Sequence, residues 1–227
     1  MLSLKNVSKS FGGIKAVDRC TFEVKENTIT SLIGPNGAGK TTIFNIISGL
    51  TKPESGTIRL GDNNIEGMPA YRVAKSGISR TFQLTKVFRN LSIKDNLSIA
   101  KRTDESEMKQ VLESVYLSKP LDTLARELSY GQQRLLEIAR ALLMPHSLLM
   151  LDEPTAGVNP RIRHELKTIL RKLRDEGKTV LLIEHDMEFV MDISDNVIVL
   201  AQGKVLRAGK PKKIMNDKKV LEAYLGK

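Results

Sequence analysis

At 227 residues, 41% of them hydrophobic and 27% charged, the chain is long enough for one substantial domain with an inserted subdomain, and its composition argues against disorder. Its apolar stretches are short, and the longest candidate, Ala141–Leu151, is broken by Pro145, His146 and Ser147, which excludes the ~20 apolar residues of a membrane-spanning helix. A net charge of +10 fits attraction to nucleic acid, anionic lipid or nucleotide phosphates as well as a merely solvated surface, but scattered basic residues and 4% aromatics argue against a stacking platform for nucleic acid.

The opening Met1–Asn6 lacks a long apolar core and reads as a strand, not a signal peptide, so the chain is expected in the cytoplasm. Leu2–Val7 and Cys20–Val24 read as strands with Gly12-Gly13 as the turn region between them. Cys20 is the single cysteine; it excludes an internal disulfide and reads as a small buried residue. Ile29–Ile33 is a short apolar strand ending at Gly34, and Gly39–Gly49 is helical, with Ile43, Ile46 and Ile47 on one face. Thr57–Leu60 makes another strand. Ser92–Leu117 is helical and polar, broken at Thr103-Asp104, and Gly131–Met144 is a strongly amphipathic helix. Leu148–Leu151 and Val180–Ile183 are continuous apolar runs separated by a helix over Arg161–Asp175, the pattern of a parallel sheet covered on both faces. Asn196–Leu200 and Lys204–Ala208 pair across Gln202-Gly203, and a helical tail runs from Pro211 to Leu225. Together these predict one α/β unit with a mostly helical insertion at about 84–130.

Gly34-Pro35-Asn36-Gly37-Ala38-Gly39-Lys40-Thr41-Thr42 fits the P-loop pattern, G-x-x-x-x-G-K-[ST]. Glycines let backbone N–H groups turn toward phosphates, and the helix opening at Lys40 adds its N-terminal partial charge. Lys40 suits the β- and γ-phosphates, and the Thr41 hydroxyl suits Mg²⁺. The buried run Leu148–Leu151 ends in Asp152-Glu153, at the strand end where an open α/β sheet places its ligand. Asp152 would hold Mg²⁺ through water and Glu153 would polarise the attacking water as general base. A strand end facing solvent explains the same pair when it stands alone; the P-loop upstream favours the chemical reading. Val180–Ile183 ends in Glu184-His185-Asp186, which puts His185 on the same sheet edge, where it can sense the γ-phosphate. His146 and His164 have no such placement and read as structural or surface residues. Gln83 follows the Ile78–Phe82 segment and can reach Mg²⁺ or the water.

Leu128-Ser129-Tyr130-Gly131-Gln132-Gln133 places a capping box, Ser129 with Gln132, at the head of the long helix. One chain thus carries two helix starts suited to anions, at Lys40 and at Gly131. Both serve one nucleotide easily only if two chains pair head to tail.

In this order, the P-loop, Gln83, Leu128–Gln133, Leu148–Asp152 with Glu153, Ala156-Gly157-Val158-Asn159 and His185 resemble the nucleotide-binding subunits of ABC (ATP-binding cassette) transporters over essentially the whole chain. The resemblance implies a P-loop NTPase fold: α/β, a mixed and largely parallel sheet, an N-terminal antiparallel β region, and an inserted helical subdomain. In that scheme 1–83 and 131–227 form the ATP-binding core. It implies ATP and Mg²⁺ as ligands, Phe11 stacking on adenine, and Gly34–Thr42 holding the phosphates. Ser129, Tyr130, Gly131 and Gln132 would close on the nucleotide of a second ABC subunit. Thr41, Gln83 and Asp152 would serve the metal, and Glu153, His185 and Gln83 the catalysis. Arg80-Thr81-Phe82-Gln83, Ala156–Pro160, Ile183–Met187 and the closing Ala223-Tyr224-Leu225-Gly226 are similar to importer subunits for branched-chain amino acids or urea and amides. Tyr130 stands where the wider family usually has glycine, and Asn96–Leu128 is shorter than in that subgroup. The implied partners are transmembrane permease subunits and, for an importer, a solute-binding protein, with the chain peripheral on the inner face of the membrane and no nucleic acid bound. An exporter or lipid-extraction motor shares these motifs. A soluble ATPase acting on ribosomes or DNA would favour two cassettes or a long coiled-coil insertion, which the chain lacks.

Overall fold

The computed structural model describes residues 1–225. Strand β3 (Ile29–Ile33) is central: a six-stranded sheet runs β10-β9-β3-β8-β7-β6, with β6 Ile78–Arg80, β7 Leu148–Asp152, β8 Thr179–Ile183, β9 Asn196–Ala201 and β10 Lys204–Gly209. Strands β9, β3, β8, β7 and β6 are parallel, and only β10 turns back antiparallel to β9. The continuous apolar runs follow from burial on both faces. Leu149, Leu151, Val180 and Leu182 join the core under helices α5 (Tyr130–Leu143) and α6 (Pro160–Asp175). Leu148, Met150, Leu181 and Ile183 point the other way, into the core shared with α1 (Lys40–Ile47) and the N-terminal strands. At ~25 cal/mol per Å² of apolar surface, such double burial is the main stabilising term.

The N-terminal strands β1 (Leu2–Phe11), β2 (Ile14–Val24), β4 (Ser55–Leu60) and β5 (Asn63–Asn64) form an antiparallel sheet in the order β2-β1-β4-β5. The first two strands run farther than the alternation predicts. Their register shifts between Leu4 and Val7 and again by Lys9, and Asn6 and Arg19 sit at positive φ (52° and 47°), so bulges interrupt the pattern where the sequence reading stopped. Cys20 is buried as expected, and burial pushes its thiol up to about 12. Helix α2 (Ala70–Lys75) and helix α7 (Met187–Ile193) were not anticipated; α7 is capped by Asp186, which accepts from Phe189 N. The expected C-terminal helix is two, α8 (Pro211–Met215) and α9 (Lys218–Leu225), because Asp217 draws the Lys219 and Val220 N–H groups and the Arg207 guanidinium to itself. Gly226 of the closing motif lies outside the described residues.

Between residues 84 and 130 the chain forms α3 (Ile93–Ala100), α4 (Glu105–Ser114) and a 3₁₀ turn at Ala125–Glu127. Ile93, Leu97, Met108, Leu112, Val115 and Ala125 join the same core cluster as α5 and β7. Asn96 is wholly buried in this segment: its Oδ1 accepts from Phe88 N (2.9 Å), and its Nδ2 donates to the Phe88, Leu91 and Ser92 carbonyls at 2.9–3.3 Å. The three carbonyls keep backbone donors (Leu91 N, Ala125 N and Asn96 N), so Asn96→Ala strands the Phe88 N–H, loses the amide's own bonds and is expected to cost about 2 kcal/mol. Urea unfolding checks it; a loss below about 0.5 kcal/mol would mean that water replaces the amide.

Candidate functional site

The loop after β3 is packed too tightly for side chains. Gly34 leaves the strand with φ 149°, and a Cβ there would lie 2.1 Å from the Leu200 carbonyl oxygen. At Gly39, φ 98°, a Cβ would lie 2.3 Å from the Ala16 carbonyl oxygen. The glycines therefore let the loop press against β9 and β2 and keep its backbone exposed on the other side. Helix α1 then opens with no side-chain cap and no acidic residue in its first turn, leaving its first N–H groups available. Lys40 is buried, and its Nζ donates to the Gly34 carbonyl at 2.7 Å and the Pro35 carbonyl at 3.0 Å. Burial lowers its pKa, opposed by the nearby Glu153 and Asp152 carboxylates.

Beside this loop lies a cavity of about 400 Å³ lined by Ala16, Asn36, Gly37, Ala38, Gly39, Lys40, Thr41, Thr42, Gln83, Glu153 and His185. Its wall is built from the carboxyl ends of parallel strands: Gln83 follows β6, Glu153 follows β7, and His185 follows β8. The Asp152–Ile183 register sets the last two side by side. One Glu153 oxygen accepts from Gln83 Nε2 at 3.0 Å, and the other lies 3.0 Å from His185 Nε2. Glu153 itself is held at φ 48°, a strained conformation for a residue with a side chain. Its N–H donates to the Ile183 carbonyl at 3.0 Å, and its carbonyl accepts from Arg134 at 3.1 Å, so backbone bonds on two sides hold that conformation.

Asp152 stands behind this wall. Its Oδ2 accepts from Arg80 Nη2 at 2.9 Å, and both side chains are almost wholly buried. Burial raises the Asp152 pKa, with Arg80 pulling the other way. Arg80 also donates to Asn45 Oδ1 of α1 and to Ser48 Oγ at the helix's C-terminal cap, and lies over the Phe44 and Phe82 rings. Glu184 accepts from Thr155 N at 2.8 Å and His185 N at 3.1 Å, so it fixes the backbone on which His185 sits.

The structure thus gathers Asn36–Thr42, Gln83, Glu153 and His185 around one cavity, with Gly34, Pro35 and Asp152 immediately behind. Phe11, Ser129, Tyr130, Gly131 and Gln132 do not line this cavity. Phe11 is 52% exposed, which overturns the alternative of a core phenylalanine in a hairpin. Ser129 and Gln132 form the expected capping box on α5. Gly131 answers to packing: a Cβ there would lie 2.9 Å from Ile162 of α6. Tyr130 lies against Gly157, where a Cβ would meet its Cε1 at 3.1 Å. His146 bonds the Met144 carbonyl and His164 is exposed, so both are away from the cavity, as expected. Sequence reasoning passed over Ala16, Arg80, Arg134 and Glu184. A charge inside the otherwise uncharged Ile78–Phe82 segment, and another on the inner side of α5, were the available signals for the two arginines.

The family profile for ABC transporters matches residues 17–156. The chain is 40% identical to the high-affinity branched-chain amino acid transport ATP-binding protein BraF of Pseudomonas aeruginosa, over all of this chain and 98% of that protein. Identity to LivG of Escherichia coli, of the same description, is also 40%, with the same coverage. A nucleotide-free ATP-binding cassette from an ABC transporter superposes with a TM-score of 0.92 at 31% identity, covering all of this chain and 99% of the other. The chain that holds this cradle of glycine backbone and lysine, with a carboxylate pair at one strand end and a histidine just beyond the next, is matched along its full length to ATP-binding cassettes and belongs to the ABC transporter family.

Proposed function

We propose that the chain hydrolyses ATP at a site shared between two head-to-tail subunits and thereby drives uptake of branched-chain amino acids or related polar solutes through separate permease subunits. The observation that carries the shared site is the separation of surfaces: the cavity holding Lys40 and Glu153 includes none of Ser129–Gln132, although both have the makings of a phosphate contact. A dimeric bacterial ABC transporter cassette, 28% identical with a TM-score of 0.82 over 93% of this chain and 99% of the other, supports pairing. In this reading the Gly34–Thr42 backbone and Lys40 hold the phosphates, and Phe11 stacks on the base. Glu153 takes a proton from the attacking water. Gln83 and His185 hold its carboxylate until nucleotide arrives, after which His185 turns to the γ-phosphate.

Among the described residues no cluster of three or more His, Cys, Asp or Glu could hold a metal by itself. Thr41, Gln83 and Asp152 offer only oxygen donors beside the phosphate cradle. That set fits Mg²⁺, which keeps several waters and takes phosphate oxygens as ligands. Bound with ATP, it would neutralise charge on the β- and γ-phosphates. Residues 1–83 and 131–227 act as the ATP-binding core, and 84–130 as the helical insertion.

No described helix is long and apolar enough to cross a membrane, so transport needs other subunits. We place the chain on the inner face of the membrane, beside a permease and a solute-binding protein. The lipopolysaccharide export ATP-binding protein LptB of Haemophilus influenzae, 33% identical over all of this chain and 97% of that protein, keeps export as the second reading. Affinity purification of the tagged chain from detergent-solubilised membranes tests both. The expected result is a polytopic partner complex whose ATPase rises when leucine-loaded binding protein is added. Recovery with a lipid-extracting partner, or with ribosomes alone, would overturn uptake.

A further inference from the structure

Helix α5, which starts at the Ser129 cap, carries Arg134, Glu137 and Arg140 toward residues 82–86. Arg134 is fully buried. Its Nη1 donates to the Phe82 carbonyl at 2.6 Å and to Glu137 Oε2 at 2.8 Å. Its Nη2 donates to the Gln83 carbonyl at 2.8 Å and the Glu153 carbonyl at 3.1 Å. Glu137 takes the opposite polarity from the same segment, accepting from Lys86 N at 3.2 Å and from Phe82 N at 3.5 Å. Arg140 closes the far end on the Lys86 carbonyl at 2.6 Å.

The charge pair itself is not needed for stability, although its bonds to the Phe82, Gln83 and Lys86 backbone contribute to it. Desolvating two charges costs several kcal/mol, and replacing a buried pair by apolar side chains is often neutral or stabilising. Leucines at both positions would extend the surrounding core but leave the 82–86 backbone groups without partners. What apolar residues cannot do is bind the backbones of Gln83 and Glu153 together. Those two side chains meet at the cavity, 3.0 Å apart, and Arg134 ties their carbonyls from behind. The planar guanidinium suits this task because its donors diverge in a fixed fork.

We propose that Arg134, paired with Glu137, is a positioning residue for hydrolysis: it fixes the backbone of Gln83 against that of Glu153 and carries the position of the Ser129 end of α5 to the catalytic carboxylate. The inference rests on the shared-site reading above. Seating of Ser129 on the partner's nucleotide moves α5 as a rigid rod, and Arg134 on its second turn moves the Glu153 carbonyl with it. A shift on the order of 1 Å in a catalytic group is enough to cost about 10²-fold in rate.

Two variants of the full chain test this. Arg134→Lys keeps the charge pair but loses the fork. Arg134→Met with Glu137→Gln removes both charges, so that no buried charge is left unpaired if the single variant folds poorly. Thermal melts, ATP affinity by titration and steady-state kinetics are compared with wild type. The expected outcome is a folded chain that binds ATP within about twofold of wild type but turns over at least about tenfold more slowly at saturating ATP. Folded variants with wild-type kcat would overturn the proposal. So would a parallel loss of ATP affinity, which would make Arg134 part of the binding surface. A wild-type chain that binds no ATP would instead sink the nucleotide reading and this inference with it.

Discussion

Replacing Glu153 by glutamine is expected to slow hydrolysis by about 10²–10⁴-fold while leaving ATP affinity nearly unchanged, the span that general-base catalysis usually supplies. Gln83 Nε2 and His185 Nε2 each lie 3.0 Å from a Glu153 oxygen, one on either side, so the carboxylate has no other engagement to lose. The amide keeps the shape and the Gln83 contact, but it has no basic oxygen to receive a proton. With hydrolysis stopped, ATP stays bound and the variant accumulates as an ATP-loaded dimer. Single-turnover hydrolysis and size-exclusion chromatography with ATP read the two effects separately. Wild-type turnover in the variant would remove Glu153 from the role of base. Loss of ATP binding would point to a disturbance of the strained backbone at φ 48°.

The second large effect is expected from mixing two inactive chains. Lys40→Ala removes the buried ammonium from the phosphate loop, and Ser129→Arg blocks the start of α5 on another surface. Each variant alone is expected to lose ATP-driven pairing, because each of its two shared sites carries a lesion. In the mixture both lesions fall on one site. The other site then joins the intact loop of the Ser129→Arg chain to the intact Ser129 end of the Lys40→Ala chain. ATP-dependent dimer should therefore reappear in the mixture, read by chromatography under conditions that block hydrolysis. Two folded variants that never pair would count heavily against a shared site.

How much of this was legible in the sequence depended on the range over which each feature is encoded. The phosphate loop is local: its glycines, Lys40 and the following helix lie within one short stretch, and the structure uses the glycines where side chains would collide. The two buried parallel strands were equally plain, since burial on both faces writes a continuous apolar run. Arg80 was not legible, because its meaning lies in Asp152, which is 72 residues away. Arg134 looked like one more polar position on an amphipathic helix; only the packing of 82–86 and Glu153 against α5 gives it a purpose. Ala16 has no chemical signature at all and serves by its carbonyl and its place. Strand order was out of reach for the same reason, because hydrogen bonds between strands leave no mark on the spacing of side chains.

The central place of β3 also has a consequence for how the chain is made. Thr30 pairs with Leu181 on one side and Asn196 on the other, so both neighbours of the strand come from the far end of the sequence. While the chain emerges from the ribosome, Ile29–Ile33 has two open edges until β8 and β9 are out. Closing so long a loop is entropically slow, and a strand that is wholly buried in the finished fold, left waiting for partners, invites association with other nascent chains. The N-terminal antiparallel sheet, whose strands all lie within residues 2–64, can form first and shelter one side. The phosphate loop becomes a loop only when the last strands arrive, and a ligand that binds only the finished fold would then draw the equilibrium toward it.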